Sequence, residues 1–216
     1  MINYSVPLYE NTIDNTHCFQ ACLKMILKYF FPEKDYNWRY LDKISAKVPG
    51  KWTWSMAALI WLTKQNMEIK NIEVFDYKKF IDKKEDYLFE FYGKEVAEQQ
   101  IINSLISQEI EFSREFIKKI KTEVRLPNID EIKILLDDGF LIGCNVNSCA
   151  LNNKEGYAGH FVIVKGYDSD GFFINDPGLP GVENRKVSFG TFEKAWAYPG
   201  VNARNIMALK KKITPK

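Results

Sequence analysis

Residues 18–31 read CFQACLKMILKYFF, and the spacing of Leu23, Ile26, Leu27 and Phe30 puts apolar side chains along one side of a helix. Pro32 ends that helix, because proline offers no N–H and clashes with the preceding turn. Just upstream, Asp14, Asn15 and Thr16 are residue types that cap helix N-termini. The helix therefore opens on a thiol, Cys18. Unpaired N–H groups and the positive end of the dipole favour an anion at such a place. They lower a thiol pKa from its usual ~8.5. An amphipathic helix this close to the N-terminus needs an apolar surface to lie on, and the C-terminal third supplies one.

Working outward, residues 37–46 and 53–66 keep helical periodicity, with Thr53 the expected N-cap of the second segment. Residues 68–75, EIKNIEVF, alternate as a strand does. Residues 77–126 change in texture, being rich in Lys, Glu and Gln and free of proline. They predict a helical insertion at about 80–127 packed on the first helices. Asn128 caps IDEIKILLDDG, and Gly139 ends that helix by accepting a left-handed conformation. Strands are predicted at 140–147, 160–168, 171–176, 185–189 and 205–211, and a short helix at 191–196. Asp168-Ser169-Asp170-Gly171 reads as a hairpin turn in which glycine supplies a positive φ. Helices first and strands second predict an α+β fold of two layers. N-terminal helices pack against a C-terminal antiparallel sheet, with a cleft between them.

The 216 residues, 46% hydrophobic, predict a single domain spanning 1–216, at ~100–200 residues per domain. Thirty basic against 28 acidic residues leave a net charge of +2, which does not point to nucleic acid. Without a basic stripe the many aromatic residues read as core and cleft lining. Trp196 reads as core, and Trp52 and Trp54, flanking Thr53, read as either core or cleft lining. The C-terminal KKKITPK reads as a solvated tail. No apolar run approaches the ~20 residues that span a bilayer, so no membrane partner is expected. The opening MINYSVPLYENTID lacks the basic start and apolar core of a leader. Four cysteines in such a chain read as reduced thiols, and the expected location is cytoplasmic.

Only two histidines occur, His17 and His160. Histidine is the side chain whose ordinary pKa, ~6.5, suits proton transfer near neutrality. His160 follows Gly159 and opens the strand HFVIVKGYD, and Asp176 ends FFIND one hairpin later. A hairpin of that length sets the two side by side, and an acceptor on one ring nitrogen turns the other toward a thiol. Each residue also has a plainer reading: Cys18 as a small buried hydrophobe, His160 as a hydrogen-bonded strand residue, Asp176 as a turn residue before Pro177. His17, adjacent to Cys18, diverges from it by ~100° around the helix and reads as a surface or capping residue. The polar loop 147–159 leads straight into His160 and reads as either a wall of the cleft or an ordinary connection.

The stretch VPLYENTIDNTHCFQACLKMILKYF, together with GHFVIVKGYD and INDPG, resembles the papain-like cysteine peptidase superfamily. The closest branch is that of the bacteriocin-leader, or double-glycine, peptidases in stand-alone form. The resemblance implies a papain-like fold. It also implies a triad of Cys18 as nucleophile, His160 as general base and acid, and Asp176 as the orienting residue. It covers about residues 4–31 and 135–210. Two departures stand out. The family places Gly after the nucleophile, where this chain has Phe19-Gln20. It also places an oxyanion-holding Gln about six positions before the Cys, where this chain has Thr12. Asn11 is the expected substitute, with Asn15 and Gln20 as rivals. The resulting expectation is thiol-dependent acyl transfer on a peptide or amide substrate, as a peptidase or amidase, without a cofactor. The alternative is a catalytically silent module that binds a peptide or partner in the same cleft.

Metal binding is the competing chemistry. Cys18, Cys22, Cys144, Cys149 and His160 could supply four ligands. Structural zinc pairs, however, sit on turns at C-x2–4-C spacing. Here one pair is inside a helix, and the other, C-x4-C, lies beside a strand. No metal site is expected. Cys22 and Cys144 read as core residues, and Cys149 as exposed.

Overall fold

The computed structural model of the chain describes residues 1–212, and the last four residues of the KKKITPK tail lie outside the described residues. A short strand, β1 (Ile2–Asn3), precedes helix α1 (Cys18–Phe30), in which Leu23, Ile26 and Leu27 are buried as the periodicity requires. Helices α2 (Trp38–Ile44) and α3 (Met56–Leu62) lead to strand β2 (Met67–Glu73). The middle of the chain holds α4 (Tyr77–Lys83), α5 (Glu85–Tyr92), α6 (Lys94–Asn103) and α7 (Ile106–Lys119), then the short strand β3 (Thr122–Glu123). The remainder runs α8 (Ile129–Asp137), β4 (Leu141–Asn147), α9 (Ser148–Leu151), β5 (Gly159–Tyr167) and β6 (Gly171–Asp176). It closes with β7 (Val182–Ser188), α10 (Phe189–Trp196) and β8 (Asn205–Lys211).

The strands form one sheet in the order β3-β2-β8-β4-β5-β6-β7, with β1 added alongside β5. Every pairing is antiparallel except that of β2 with β3. The sheet is therefore wider than the C-terminal third. β2 pairs with β8 from Met67 opposite Lys211 to Glu73 opposite Asn205.

Side chains of these strands alternate between two apolar faces. Leu141, Phe161, Ile163, Met207 and Leu209 join the core built with α1, α3 and the helices α4–α7. Ile142, Cys144, Val162, Val164, Ile206 and Ala208 join a second core with α8 and α10. The expected two layers are thus three, because strands that are apolar on both sides need both faces covered. Each fully buried Leu, Ile or Phe contributes roughly 1.5–3 kcal/mol. Phe80, Leu88 and Phe116 of the middle region are completely buried in the first core, so these helices are part of the body that carries α1.

Three local expectations are corrected. Thr53 does not cap a helix: α3 begins at Met56 after Ser55, and the Thr53 hydroxyl instead accepts a hydrogen bond from Gln20 Nε2. Gly171 has no positive φ. Asp168 Oδ1 accepts the N–H groups of Asp170 and Gly171 to make the turn, and glycine is needed because a Cβ would lie 2.1 Å from Val187 O on β7. Lys210 and Lys211 are not tail residues but the end of β8, where they donate to the carbonyls of Asp138 and Phe30. Gly139 does adopt the expected left-handed C-cap, with φ of 86°.

One buried acid in this body has a measurable consequence. Glu109 on α7 is 4% exposed, and burial pushes its pKa up to about 8 although the Trp54 N–H partly offsets this. The folded chain keeps this proton between pH ~4.5 and ~8 while the unfolded chain releases it, so stability falls as pH rises through that window. Glu109→Gln keeps an acceptor for Trp54 and removes the ionisation. The variant is expected to be more stable than the parent at pH 8, by on the order of 2 kcal/mol, and equal to it at pH 4. Urea melts at the two pH values measure the difference.

Candidate active site

The register of three elements brings the site together. Cys22, one turn into α1, donates its thiol to Phe161 O at 3.3 Å, and the Phe19 ring meets that of Phe161 edge-on at 5.1 Å. These contacts hold the start of α1 over the start of β5. Cys18, one turn back along α1, therefore meets His160, the second residue of β5, and the two side chains lie close enough for each to shift the other's ionisation. Strand β6 pairs with β5 and ends at Asp176. His160 Nε2 donates to Asp176 Oδ1 at 2.7 Å, which leaves Nδ1 for the sulfur. The sequence-predicted trio is thus assembled, with His160 and Asp176 side chains 11% and 7% exposed.

Electrostatics favour an ion pair. Burial would raise the Cys18 pKa, but the hydrogen bond and charge of His160, with the N–H groups of Phe161 and Phe19, outweigh it and lower the thiol. Burial would likewise lower His160, yet Asp176 and the Cys18 sulfur raise it to about 10. Asp176 is lowered to about 2: burial opposes ionisation, and His160, the Gly178 N–H and Arg185 overcome it. Arg185 donates from Nη1 to Asp176 Oδ2 at 2.8 Å and from Nη2 to Leu151 O at 2.8 Å. Sequence reasoning missed Arg185. It lies on β7 next to β6, and only the register of that pairing aims it at the carboxylate.

The other predicted residues take different places. His17 occupies the N-cap position of α1 but makes no side-chain cap. Its Nδ1 is 2.6 Å from Thr12 Oγ1, and its Nε2 lies 3.3 Å from Asp42 Oδ1. Asn11 is buried. Its Oδ1 accepts the N–H groups of Thr12 and His17, and its Nδ2 donates to Asn15 Oδ1 at 2.8 Å, leaving one amide hydrogen uncommitted. Gln20, a rival for the oxyanion role, is fully buried and spends both amide hydrogens on Ser45 and Thr53. Asn15 is exposed, with Oδ1 turned to Asn11. Cys144 is buried in the second core, and Cys149 is half-buried at the start of α9. Among the described residues no group of three or more His, Cys, Asp or Glu is placed to hold a metal ion. No helix among the described residues is long and apolar enough to cross a membrane.

The model of the Peptidase_C39 like family matches residues 4–203. The chain belongs to that family. A putative C39-like peptidase from Bacillus anthracis of known structure is 16% identical over 98% of each chain, with a TM-score of 0.52, and shares the fold. The peptidase domain of Streptococcus ComA, a bifunctional ABC transporter involved in quorum sensing, is 15% identical over 94% of this chain and 96% of that one, with a TM-score of 0.48. No curated protein matches the sequence.

In this member of the C39-like peptidases, Cys18 and His160 open onto a pocket of about 120 Å³. Trp52 and Trp54 line it, and so do Tyr157 of the loop before β5 and Gly159, the strand's first residue. That loop is a wall built around one buried side chain. Asn147 accepts the N–H groups of Cys149 and Ala158 and donates to Gly156 O. Glycine at 159 admits the wall, since a Cβ there would lie 3.0 Å from the Tyr157 hydroxyl and 3.3 Å from the Trp52 ring. The middle region also contributes, through Tyr77, Phe91, Tyr92 and Gln100.

Proposed function

We propose that the chain is a cysteine peptidase or amidase acting by acyl transfer through Cys18, His160 and Asp176. The observation that carries this reading is the continuous contact from the sulfur through His160 to Asp176, at the start of a helix and beside a pocket. The Cys18 thiolate attacks the carbonyl carbon of an amide, forming an S–C bond and moving the C=O π electrons to oxygen. In this reading the Cys18 backbone N–H, at the first turn of α1, and the free hydrogen on Asn11 Nδ2 are the donors that hold that oxyanion. Collapse breaks the C–N bond, and the imidazolium of His160 gives its proton to the departing amine. Water then attacks the thioester while His160 takes a proton from it, releasing the acid and restoring the ion pair.

The test is a mixed peptide library, with cleavage read by mass spectrometry. The chain is expected to cleave members of it, and Cys18→Ala to cleave none. A chain whose Cys18 reacts with iodoacetamide at pH 6 no faster than a model thiol, and which cleaves no peptide, is the silent binding module instead.

A further inference from the structure

We propose that the pocket beside Cys18 is a subsite for a cationic side chain, lysyl or arginyl, with Glu73 as its counter-charge. This deepens the acyl-transfer reading and rests on it. Glu73, the last residue of β2, lines the same pocket as Cys18 and His160. Tyr92 and Tyr157 line the same pocket. The carboxylate has only neutral partners. Oε1 accepts from Tyr77 OH at 2.7 Å and Asn71 Nδ2 at 2.6 Å, and among the described residues no cation pairs with Oε2. Burial holds the Glu73 pKa above the ordinary range, with Tyr77 and Asn71 opposing, so an incoming positive charge would restore what burial removes.

The walls suit the same guest. Trp54, Phe75, Phe91 and Tyr92 surround the approach with ring faces and edges, which accommodate both an alkyl stem and a cationic head. The pocket's cation, Arg204, does not argue for an acidic guest. Its Nη2 is bound to Glu193 Oε1 at 2.6 Å and its guanidinium lies over the Trp196 ring at 5.6 Å, so it already has an ion-pair partner, although its buried Nε has no hydrogen-bond partner among the described residues. Glu73 is the unmet charge.

Paired fluoromethyl ketone tetrapeptides test this, with lysine or norleucine at each position in turn and labelling of Cys18 read by mass spectrometry. Lysine is expected to accelerate labelling about tenfold or more at one position, and Glu73→Gln to bring that ratio close to one. Glutamine keeps an acceptor for Tyr77 and Asn71, so the comparison is of charge rather than fold. Iodoacetamide, which needs no subsite, reports on the thiolate separately. Rapid iodoacetamide labelling with no lysine preference at any position overturns the cationic subsite and leaves the acyl-transfer reading standing. Calorimetry of lysyl and norleucyl peptide amides with the Cys18→Ala chain judges the subsite even if the thiol proves unreactive. Tighter lysyl binding supports the subsite, and equal binding or none overturns it.

Discussion

His160→Ala is expected to lower peptide turnover by about 10²–10⁴ and to change the shape of the Cys18 alkylation profile. The first figure is the usual worth of a positioned acid and base. The second effect follows from the ion pair. In the parent chain the thiol is held low chiefly by His160 against the opposing effect of burial. Without the imidazolium only the opposing effect and two backbone N–H groups remain. A thiol at ~8.5 is about 0.3% ionised at pH 6, and a buried one less. The loss in rate is smaller than the loss in thiolate, because a more basic sulfur is intrinsically a better nucleophile. A decrease of roughly 10- to 100-fold at pH 6 is therefore expected. The parent rate should rise less steeply between pH 6 and 8 than the variant rate, which should climb about tenfold per pH unit, as for any un-ionised thiol. Stopped-flow alkylation with iodoacetamide across that range separates the two. A variant profile that matches the parent's would show that the helix start alone lowers Cys18.

The parts legible in the sequence were those set by local pattern. The period of α1, the opening of β5 at His160 and the hairpin that ends at Asp176 each follow from spacing and turn chemistry within a few residues. The meeting of Cys18 with His160 was legible only through the resemblance, because nothing local states that α1 lies across β5. That depends on Cys22 and Phe19 finding Phe161. The third layer was hidden for a related reason. β4, β5 and β8 each carry an unbroken run of apolar or small residues at 141–144, 161–164 and 206–209, and a run of that kind reads as a strand without revealing that both faces are covered. Thr53 misled because a threonine before an apolar run has the signature of a cap, and here a buried glutamine claims its hydroxyl first. Arg185 and Glu73 left no signal at all. Each is a charged residue in an alternating strand, and only sheet register aims one at Asp176 and the pocket geometry gives the other a role.

Asp176→Ala is expected to damage both stability and turnover, and the two losses should depend on pH in different ways. The carboxylate holds His160 and Arg185 together inside the fold. Its removal leaves buried His160 and partly buried Arg185 without the anion they share, a change that costs up to ~3–5 kcal/mol when no relaxation intervenes. For a chain of this size that is a fall in Tm of very roughly 6–20 °C. The sign with pH follows from the depressed pKa. A carboxylate lowered to about 2 contributes stability above the unfolded value of ~3.9, and that contribution is lost as pH falls through about 2. The gap between parent and variant should therefore be full at pH 6 and narrow below pH 4. Turnover responds at the other end of the scale. His160 is raised to about 10 against the effect of burial, with Asp176 the first cause. Without that carboxylate the imidazolium gives up its proton nearer neutrality, so the alkaline limb of kcat/KM should move down in pH. Asp176→Asn separates orientation from charge. Its amide oxygen can still accept from His160 Nε2, but its NH2 opposes Arg185 Nη1. It should retain more turnover than Asp176→Ala at pH 6 while showing the same downward move of the alkaline limb. An alkaline limb that stays in place in both variants would mean that Cys18 alone holds the proton on His160.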